Sequence, residues 1–117
     1  LSLHDALPIS VYWWSVPALL KGWFDRVLTL NWAYKVADDG RIVGSLRDVP
    51  VRLIATGGSD LTGFDKHGYS TAIQTQIIEG VFGFCGLKNV KLDILYQADA
   101  ATPEQVEEFL KGLEDLK

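Results

Sequence analysis

Several patterns that would narrow the function are missing from this sequence of 117 residues. Its single cysteine, Cys85, cannot form a disulfide within the chain, and no histidines, cysteines and carboxylates cluster at metal-ligand spacing. No apolar run approaches the roughly 20 residues that a membrane-spanning helix needs, and no secretory signal pattern is present. These absences predict a cytoplasmic protein without a metal site.

A strong charge of one sign is also missing. The net charge is −4, and the 11 lysines and arginines are scattered along the chain, which argues against a nucleic-acid partner bound through its phosphates. There are no internal repeats or low-complexity tracts. With 48% hydrophobic and 22% charged residues, the chain has the composition of one small globular domain.

What is present is an alternation of apolar runs and helical periodicity. It predicts an aromatic strand over 11–15, a helix from Pro17 to about Leu30, a strand Val51–Thr56, a helix Tyr69 to about Phe84, a strand Val90–Tyr96 and a helix opened by a capping-box pattern at Thr102. Residues 60–68 are predicted to form a polar loop, and 42–48 a short extended or irregular stretch.

This order is typical of an α/β domain with a parallel sheet. Two well-marked strands are too few for such a sheet, so the sequence predicts the C-terminal part of a domain over 11–117. Residues 1–10 do not form a clean element in this interpretation, since His4 and Asp5 interrupt the apolar run and Pro8 follows. They are predicted to be a non-native N-terminal junction.

Two segments are expected at the carboxyl edge of that sheet, where ligands bind in open α/β folds. The first contains Tyr12, Trp13 and Trp14. Three adjacent large rings cannot all face one core in an extended strand, so at least one should meet a loop, a ligand or a partner chain. Ordinary core packing remains the alternative, and a flat conjugated ligand is the functional interpretation.

The second segment holds Thr56, Gly57 and Gly58. Paired glycines let backbone N–H groups approach a heterocycle closely, although a plain strand-terminating turn has the same pattern. His67 lies in the loop that follows and could donate a hydrogen bond or relay a proton, whereas a solvated loop histidine is the alternative. Tyr69 could cap its helix or bind substrate. Cys85 is predicted to be buried and inert.

The stretch VYWWSVPALLKGWFDRVLTLNWAY, together with ATGGS, the pair His67-Gly68 and the FCG at 84–86, resembles the NAD(P)H:quinone oxidoreductases of flavodoxin-like fold. The resemblance implies a doubly wound parallel sheet that lacks its N-terminal strands and phosphate-binding loop here. It also implies FAD or FMN as cofactor, NAD(P)H as co-substrate, a quinone as two-electron acceptor, and a homodimer with active sites at the subunit interface.

Carried over by position, the resemblance implies roles for individual residues. Residues 11–14 (Val11, Tyr12, Trp13, Trp14) would line the flavin ring, and residues 56–58 (Thr56, Gly57, Gly58) would contact its polar edge. His67 would face flavin and quinone. The tyrosine that accompanies this histidine in the family has no clear equivalent, and Tyr69 or Phe64 substitutes only loosely. Gly22 and Trp23 would lie in the dimer helix.

Two other functions remain open at this point. Some members of the same family are regulatory subunits of potassium-efflux transporters, which implies contact with a membrane protein instead of turnover. A carbohydrate-binding face is a third hypothesis, and it requires the four tryptophans at 13, 14, 23 and 32 to be exposed together.

Overall fold

The computed structural model describes residues 6–114. The strands are β1 (Ala6–Ser10), β2 (Tyr34–Val36), β3 (Ile42–Gly44), β4 (Val51–Thr56) and β5 (Val90–Leu95), and the helices are α1 (Ala18–Val27), α2 (Leu61–Lys66), α3 (Tyr69–Ile73) and α4 (Pro103–Glu114). α3 continues without a break into a π-helical segment, Gln74–Gly83, and a 3₁₀ turn follows β5 at Ala98–Ala100.

The central sheet has the order β1-β4-β5 and is entirely parallel. Its register pairs Ser10 with Thr56 and Thr56 with Leu95, so the three strands end level with one another. This is the parallel α/β sheet that the sequence predicts.

The prediction that residues 1–10 form no element is wrong from Ala6 onward, because β1 occupies Ala6–Ser10. Pro8 cannot donate a ladder hydrogen bond, but β1 is an outer strand among the described residues and tolerates it. Leu1–Asp5, with His4, lie outside the described residues. The domain boundary at 10/11 stays a prediction.

Three other expectations need correction. Residues 11–15 form a turn, described below, and not a strand. The polar loop 60–68 contains α2, whose N-cap Asp60 accepts a hydrogen bond from the Gly63 amide at 2.8 Å. α1 ends at Val27, before Leu30, because the backbone leaves the helical region at Leu28 with ψ 75°.

The hydrophobic core joins the sheet to α1 and to the α3–π helix. Leu53 of β4 is fully buried there, and Phe24 of α1 meets Phe82 of the π-helical segment edge-on with ring centres 5.5 Å apart. The core cluster consists of Val16, Phe24, Leu53, Phe64, Ile73, Ile77, Ile78, Phe82 and Leu87. Burial of these side chains holds α1 and the α3–π helix against the sheet.

The short strands β2 and β3 form an antiparallel hairpin, of which only β3 lies in the stretch 42–48 predicted to be extended or irregular. The hairpin is fixed to the end of the long helix by a glycine–glycine contact: a Cβ on Gly44 would collide with the backbone of Cys85 and Gly86. The predicted capping box on α4 is confirmed, since Gln105 N donates to Thr102 Oγ1 at 3.2 Å and Thr102 N donates to Gln105 Oε1 at 2.9 Å.

Candidate functional site

The two segments singled out in the sequence lie side by side at the carboxyl edge of the sheet. The Val11 amide donates to the Thr56 carbonyl at 2.9 Å, and the Thr56 hydroxyl donates to Ser10 Oγ at 3.2 Å. This proximity follows from the register, because β1 and β4 are neighbours that end at the same level. The aromatic residues and the paired glycines therefore form one surface.

The aromatic residues occupy a tight turn closed by Tyr12 and Ser15. The Tyr12 amide donates to the Ser15 carbonyl at 3.2 Å, and the Ser15 amide returns a bond of 3.0 Å to the Tyr12 carbonyl. Trp13 and Trp14, the two central residues, have φ of 49° and 57°. Two positive φ values mark the primed hairpin turns, which ordinarily select asparagine and glycine. Tryptophan there is strained.

The rings of this aromatic turn, residues 12–15, do not all face the core, as the three adjacent aromatic residues predict. Trp13 is 87% exposed and Tyr12 is 59% exposed. Trp14 is half-buried, with its ring centre 4.0 Å from that of Tyr69 at an interplanar angle of 25°. Val11 packs against the hydrophobic core. Its predicted contact with a flavin stays a prediction, whereas Trp13 presents an exposed ring.

Tyr69 lies between two other rings. It stacks on Trp14 and also on His67, whose ring centre is 5.3 Å away at 27°. The chain turns sharply enough for this because Gly68 adopts the left-handed conformation, φ 75°, between α2 and α3. The geometry thus brings together Trp14, His67 and Tyr69, although 53 positions separate Trp14 from His67 in the sequence.

The paired glycines are not equivalent. The Gly57 amide donates to the Leu95 carbonyl at 2.9 Å, and a Cβ on Gly57 would lie 3.3 Å from Ile94 Cγ2. The Gly57 N–H is therefore bonded within the protein, and the predicted contact of residues 56–58 with the flavin edge stays a prediction. Gly58 is exposed, and a Cβ there would meet nothing within 4 Å. Gly58 is the member of the pair that leaves open space beside the strand ends.

Thr56 also lines a large groove of about 1190 Å³. The groove runs from the ends of β1 and β4 along α1 and is otherwise lined by Ile9, Ser10, Pro17, Ala18, Leu19, Leu20, Gly22, Trp23, Arg26 and Val27. Its walls are mostly apolar. Of the residues predicted for the site, Thr56 lies in this groove, whereas the stacked rings of Trp14, Tyr69 and His67 lie outside its lining.

A side-chain hydrogen bond near the site was not predicted from the sequence. The Ser70 hydroxyl donates to Asp65 Oδ1 at 2.8 Å, bracketing His67 and Tyr69. Burial raises the pKa of the neighbouring Tyr96 phenol, the Ser70 hydroxyl partly offsets that rise, and the Asp65 charge adds to it. Tyr96 therefore stays neutral at physiological pH.

The burial of Cys85 and of the tryptophans tests two further predictions. Cys85 is buried, as expected, and burial raises the pKa of its thiol, so it is a poor nucleophile. The carbohydrate hypothesis requires four exposed tryptophans. Trp13, Trp23 and Trp32 are exposed, but Trp14 is half-buried against Tyr69, so that requirement is not met.

Within residues 6–114, no helix is long and apolar enough to cross a membrane. No group of three or more His, Cys, Asp or Glu side chains in that range is placed to hold a metal ion.

Comparison with known proteins agrees with this architecture. A family model described as "Flavodoxin-like fold" matches residues 7–116. The chain is 34% identical over 87% of its length to NAD(P)H dehydrogenase [quinone] 1 of Rattus norvegicus, covering 38% of that protein. It is 29% identical over 95% of its length to FMN-dependent NADH:quinone oxidoreductase 2 of Mesoplasma florum, covering 54% of it.

Among solved structures, the NAD(P)H:quinone oxidoreductase from Methanothermobacter marburgensis superposes with a TM-score of 0.78 at 25% identity, over 92% of this chain and 54% of that one. The chain thus spans about half or less of the length of the relatives that it matches. The relatives named here are oxidoreductases, and they lend no support to the transporter-subunit alternative. The family match over residues 7–116 and the parallel sheet together show that this chain belongs to the family described as having the flavodoxin-like fold.

Proposed function

We propose that the protein transfers two electrons from NAD(P)H to a quinone through a bound flavin. The observation that carries this proposal is that the turn with the exposed Trp13 ring and the open backbone at Gly58 follow two neighbouring parallel strands that end at the same level. A planar ring can stack on the Trp13 side chain and accept hydrogen bonds from main-chain N–H groups near Gly58.

The residues present fit a flavin ring. Trp13 offers an exposed aromatic ring, and the space beside Gly58 is open, with nothing within 4 Å of the position of a Cβ. The Thr56 hydroxyl lies at the same edge and is exposed. A flavin bound there would supply the acceptance and delivery of a hydride equivalent, the step that ordinary side chains cannot perform.

The protein's own groups would orient the reactants and handle one proton. Reduction of a quinone to a hydroquinone takes a hydride equivalent and one proton, and NAD(P)H provides the hydride. His67 is exposed beside the stacked Tyr69 ring, where its imidazole can donate the proton to a quinone oxygen. Tyr69 would hold the imidazole plane parallel to its own.

FMN is the cofactor favoured here, because the Mesoplasma florum relative is named as FMN-dependent. FAD carries the same ring, so the contacts argued above do not distinguish the two. A cytoplasmic location agrees with a single buried thiol that has no partner cysteine in the sequence.

We also propose that the protein is a homodimer through the outer face of α1. Leu19 is 89% exposed and Trp23 is 49% exposed on this helix, and apolar side chains so exposed mark association surfaces. Trp23→Glu should convert a dimer to a monomer in light-scattering chromatography, whereas Lys35→Glu, an exposed change on β2, should not. A wild-type protein that is monomeric at all concentrations would contradict the dimer.

The central test uses the purified full-length protein. It should show flavin absorbance, or take up FMN or FAD, and then oxidise NAD(P)H in the presence of a quinone. His67→Gln should lower the rate of quinone reduction while leaving cofactor content unchanged. A protein that stays colourless and cannot be reconstituted with either flavin would refute the proposal.

A further inference from the structure

The aromatic turn is held in place by a residue far away in the sequence. Ser15, whose backbone closes the turn, donates a hydrogen bond from its hydroxyl to Gln76 Oε1 at 2.7 Å, across 61 positions. Gln76 lies in the π-helical segment, and its neighbours Ile77 and Ile78 are buried in the core. The turn is therefore tied by this bond to the most firmly packed part of the molecule.

The turn needs such a tie because its own conformation is unfavourable. Trp13 and Trp14 both have positive φ, which costs about 1–3 kcal/mol for each non-glycine residue and persists only where the surroundings enforce it. The two bonds between Tyr12 and Ser15 close the turn on itself but fix it to nothing else. The Trp14–Tyr69 stack, the packing of Trp14 on the core and the Ser15–Gln76 bond anchor it to the rest of the protein.

These anchors act on the C-terminal side of the strained pair, at Trp14 and at Ser15, and Ser15 in turn pairs with Tyr12, the residue before Trp13. Trp14 is held by its own ring, whereas within residues 6–114 Trp13 has only the edge contact with Trp14 at 5.8 Å. The turn's closing residue, Ser15, sets the path of the chain that carries Trp13. An exposed ring on a strained turn can bind a flat ligand well only if its direction is set before binding, because ordering it on binding costs free energy.

We propose that Ser15 and Gln76 are positioning residues that pre-orient the aromatic turn for the flavin. This inference rests on the proposed function for its ligand. Gln76 touches no ligand in this scheme, and it acts through the acceptor oxygen that it offers to the Ser15 hydroxyl. A carboxylate at the same position offers the same acceptor, whereas an aliphatic side chain of similar size offers none.

The experiment measures the dissociation constant of FMN by flavin fluorescence in the full-length protein. Gln76→Leu and Ser15→Ala should each weaken FMN binding by about three- to tenfold, the amount that one net hydrogen bond is worth. The double variant should be no weaker than either single variant, because both remove the same bond. Gln76→Glu should restore affinity to within about twofold of wild type, since it keeps the acceptor.

Gln74→Leu is the matched control. Gln74 is exposed in the same helical segment, and the same substitution there removes no bond to the turn. It should leave FMN binding unchanged. Equal FMN affinity in Gln76→Leu and wild type would overturn the inference, and so would failure of Gln76→Glu to rescue binding, because a merely structural role would not depend on the acceptor.

Failure of the proposed function is recognised separately. If wild type binds neither FMN nor FAD, the same variants are labelled with 5-fluorotryptophan and examined without ligand. The fluorine resonance of Trp14, assigned from Trp14→Phe, should be dispersed by the stacked Tyr69 ring in wild type and Gln76→Glu and should move toward the unfolded position in Gln76→Leu. An unmoved resonance in Gln76→Leu would overturn the positioning role whatever the ligand.

Discussion

The ring of Trp14 lies 4.0 Å from the ring of Tyr69 in a near-parallel stack, joining the turn after β1 to the start of α3. The two residues come from different strand–helix connections of the sheet. Their contact makes the site one unit, because any displacement of the α2–α3 junction that carries His67 is felt by the aromatic turn. A change in this pair is therefore expected to alter both the free energy of unfolding and the affinity for the cofactor.

Removal of the Tyr69 ring should damage both properties. Tyr69→Ala removes the stacks on Trp14 and His67 and should lower the free energy of unfolding by about 2 kcal/mol, measured by urea denaturation. Tyr69→Phe keeps the ring and should cost less than about 0.5 kcal/mol. A phenylalanine variant as unstable as the alanine variant would show that the hydroxyl, and not the stack, matters.

Trp13 should separate stability from binding. Trp13→Ala should weaken flavin binding by about 1 kcal/mol or more, because it removes the exposed ring. Trp13→Asn should raise the free energy of unfolding by about 1 kcal/mol, since asparagine tolerates φ of 49°. Its flavin affinity should fall as in Trp13→Ala. Calorimetry of the two proteins checks the first effect, and flavin titration checks the second. Unchanged affinity in both would remove Trp13 from the site.

The contact between the hairpin and the long helix should tolerate no side chain. Gly44→Ala places a methyl group into the backbone of Cys85 and Gly86 and should cost about 2 kcal/mol or more in thermal or urea unfolding. Gly112→Ala is the matched control in α4, where nothing lies within 4 Å. It should stabilise the protein by up to about 1 kcal/mol. A Gly44 variant as stable as wild type would mean that the hairpin docks differently.

A buried ion pair crosses from β4 to β5. Arg52 Nε lies 2.9 Å from Asp93 Oδ2, and the side chain of Arg52 is 8% exposed. Its Nη2 is buried and has no hydrogen-bond partner among residues 6–114. Asp93→Ala should therefore cost about 3 kcal/mol, because it strands a buried charge. Arg52→Met combined with Asp93→Leu should recover most of that loss, and equal losses in both proteins would contradict this account.

Stability should fall at high pH through Cys85. Burial raises the pKa of its thiol, so the unfolded chain releases this proton at lower pH than the folded one. The resulting stabilisation is complete below the ordinary thiol pKa and is lost as pH rises through the raised value. Urea unfolding of wild type and Cys85→Ala between pH 7 and about 10.5 measures it. The two curves should converge with rising pH, and parallel curves would contradict the assignment.

The sequence predicts the elements whose signals are local. Val51–Thr56 is mostly apolar and is followed by paired glycines, and the Thr102–Gln105 capping box is visible in the sequence. Both features are where they were expected. A local signal is also present at α2, because Asp60 is a typical N-cap residue, but the polar composition of 60–68 favoured a loop. The pattern at Pro8 argues against a strand, and only an outer position in the sheet makes β1 acceptable there.

The site itself is only partly predictable. Juxtaposition of the aromatic residues with Gly57 and Gly58 follows from the rule that parallel strands end at one edge. No pattern announces left-handed tryptophans, because the residue types that favour positive φ are absent from positions 12–15. The Ser15–Gln76 bond joins residues whose separation depends on the packing of a whole helix, so no local reasoning could find it.

The π-helical segment Gln74–Gly83 has a consequence for how this chain tolerates changes in length. A π-helical turn holds more residues than an α-helical turn does for a similar advance along the axis. A version of the chain shortened by one residue between Gly80 and Gly83 could wind that turn as α-helix and leave Cys85 and Gly86 where they meet Gly44. The extra residue in the π-helical turn thus allows a one-residue deletion at this point without displacement of the hairpin.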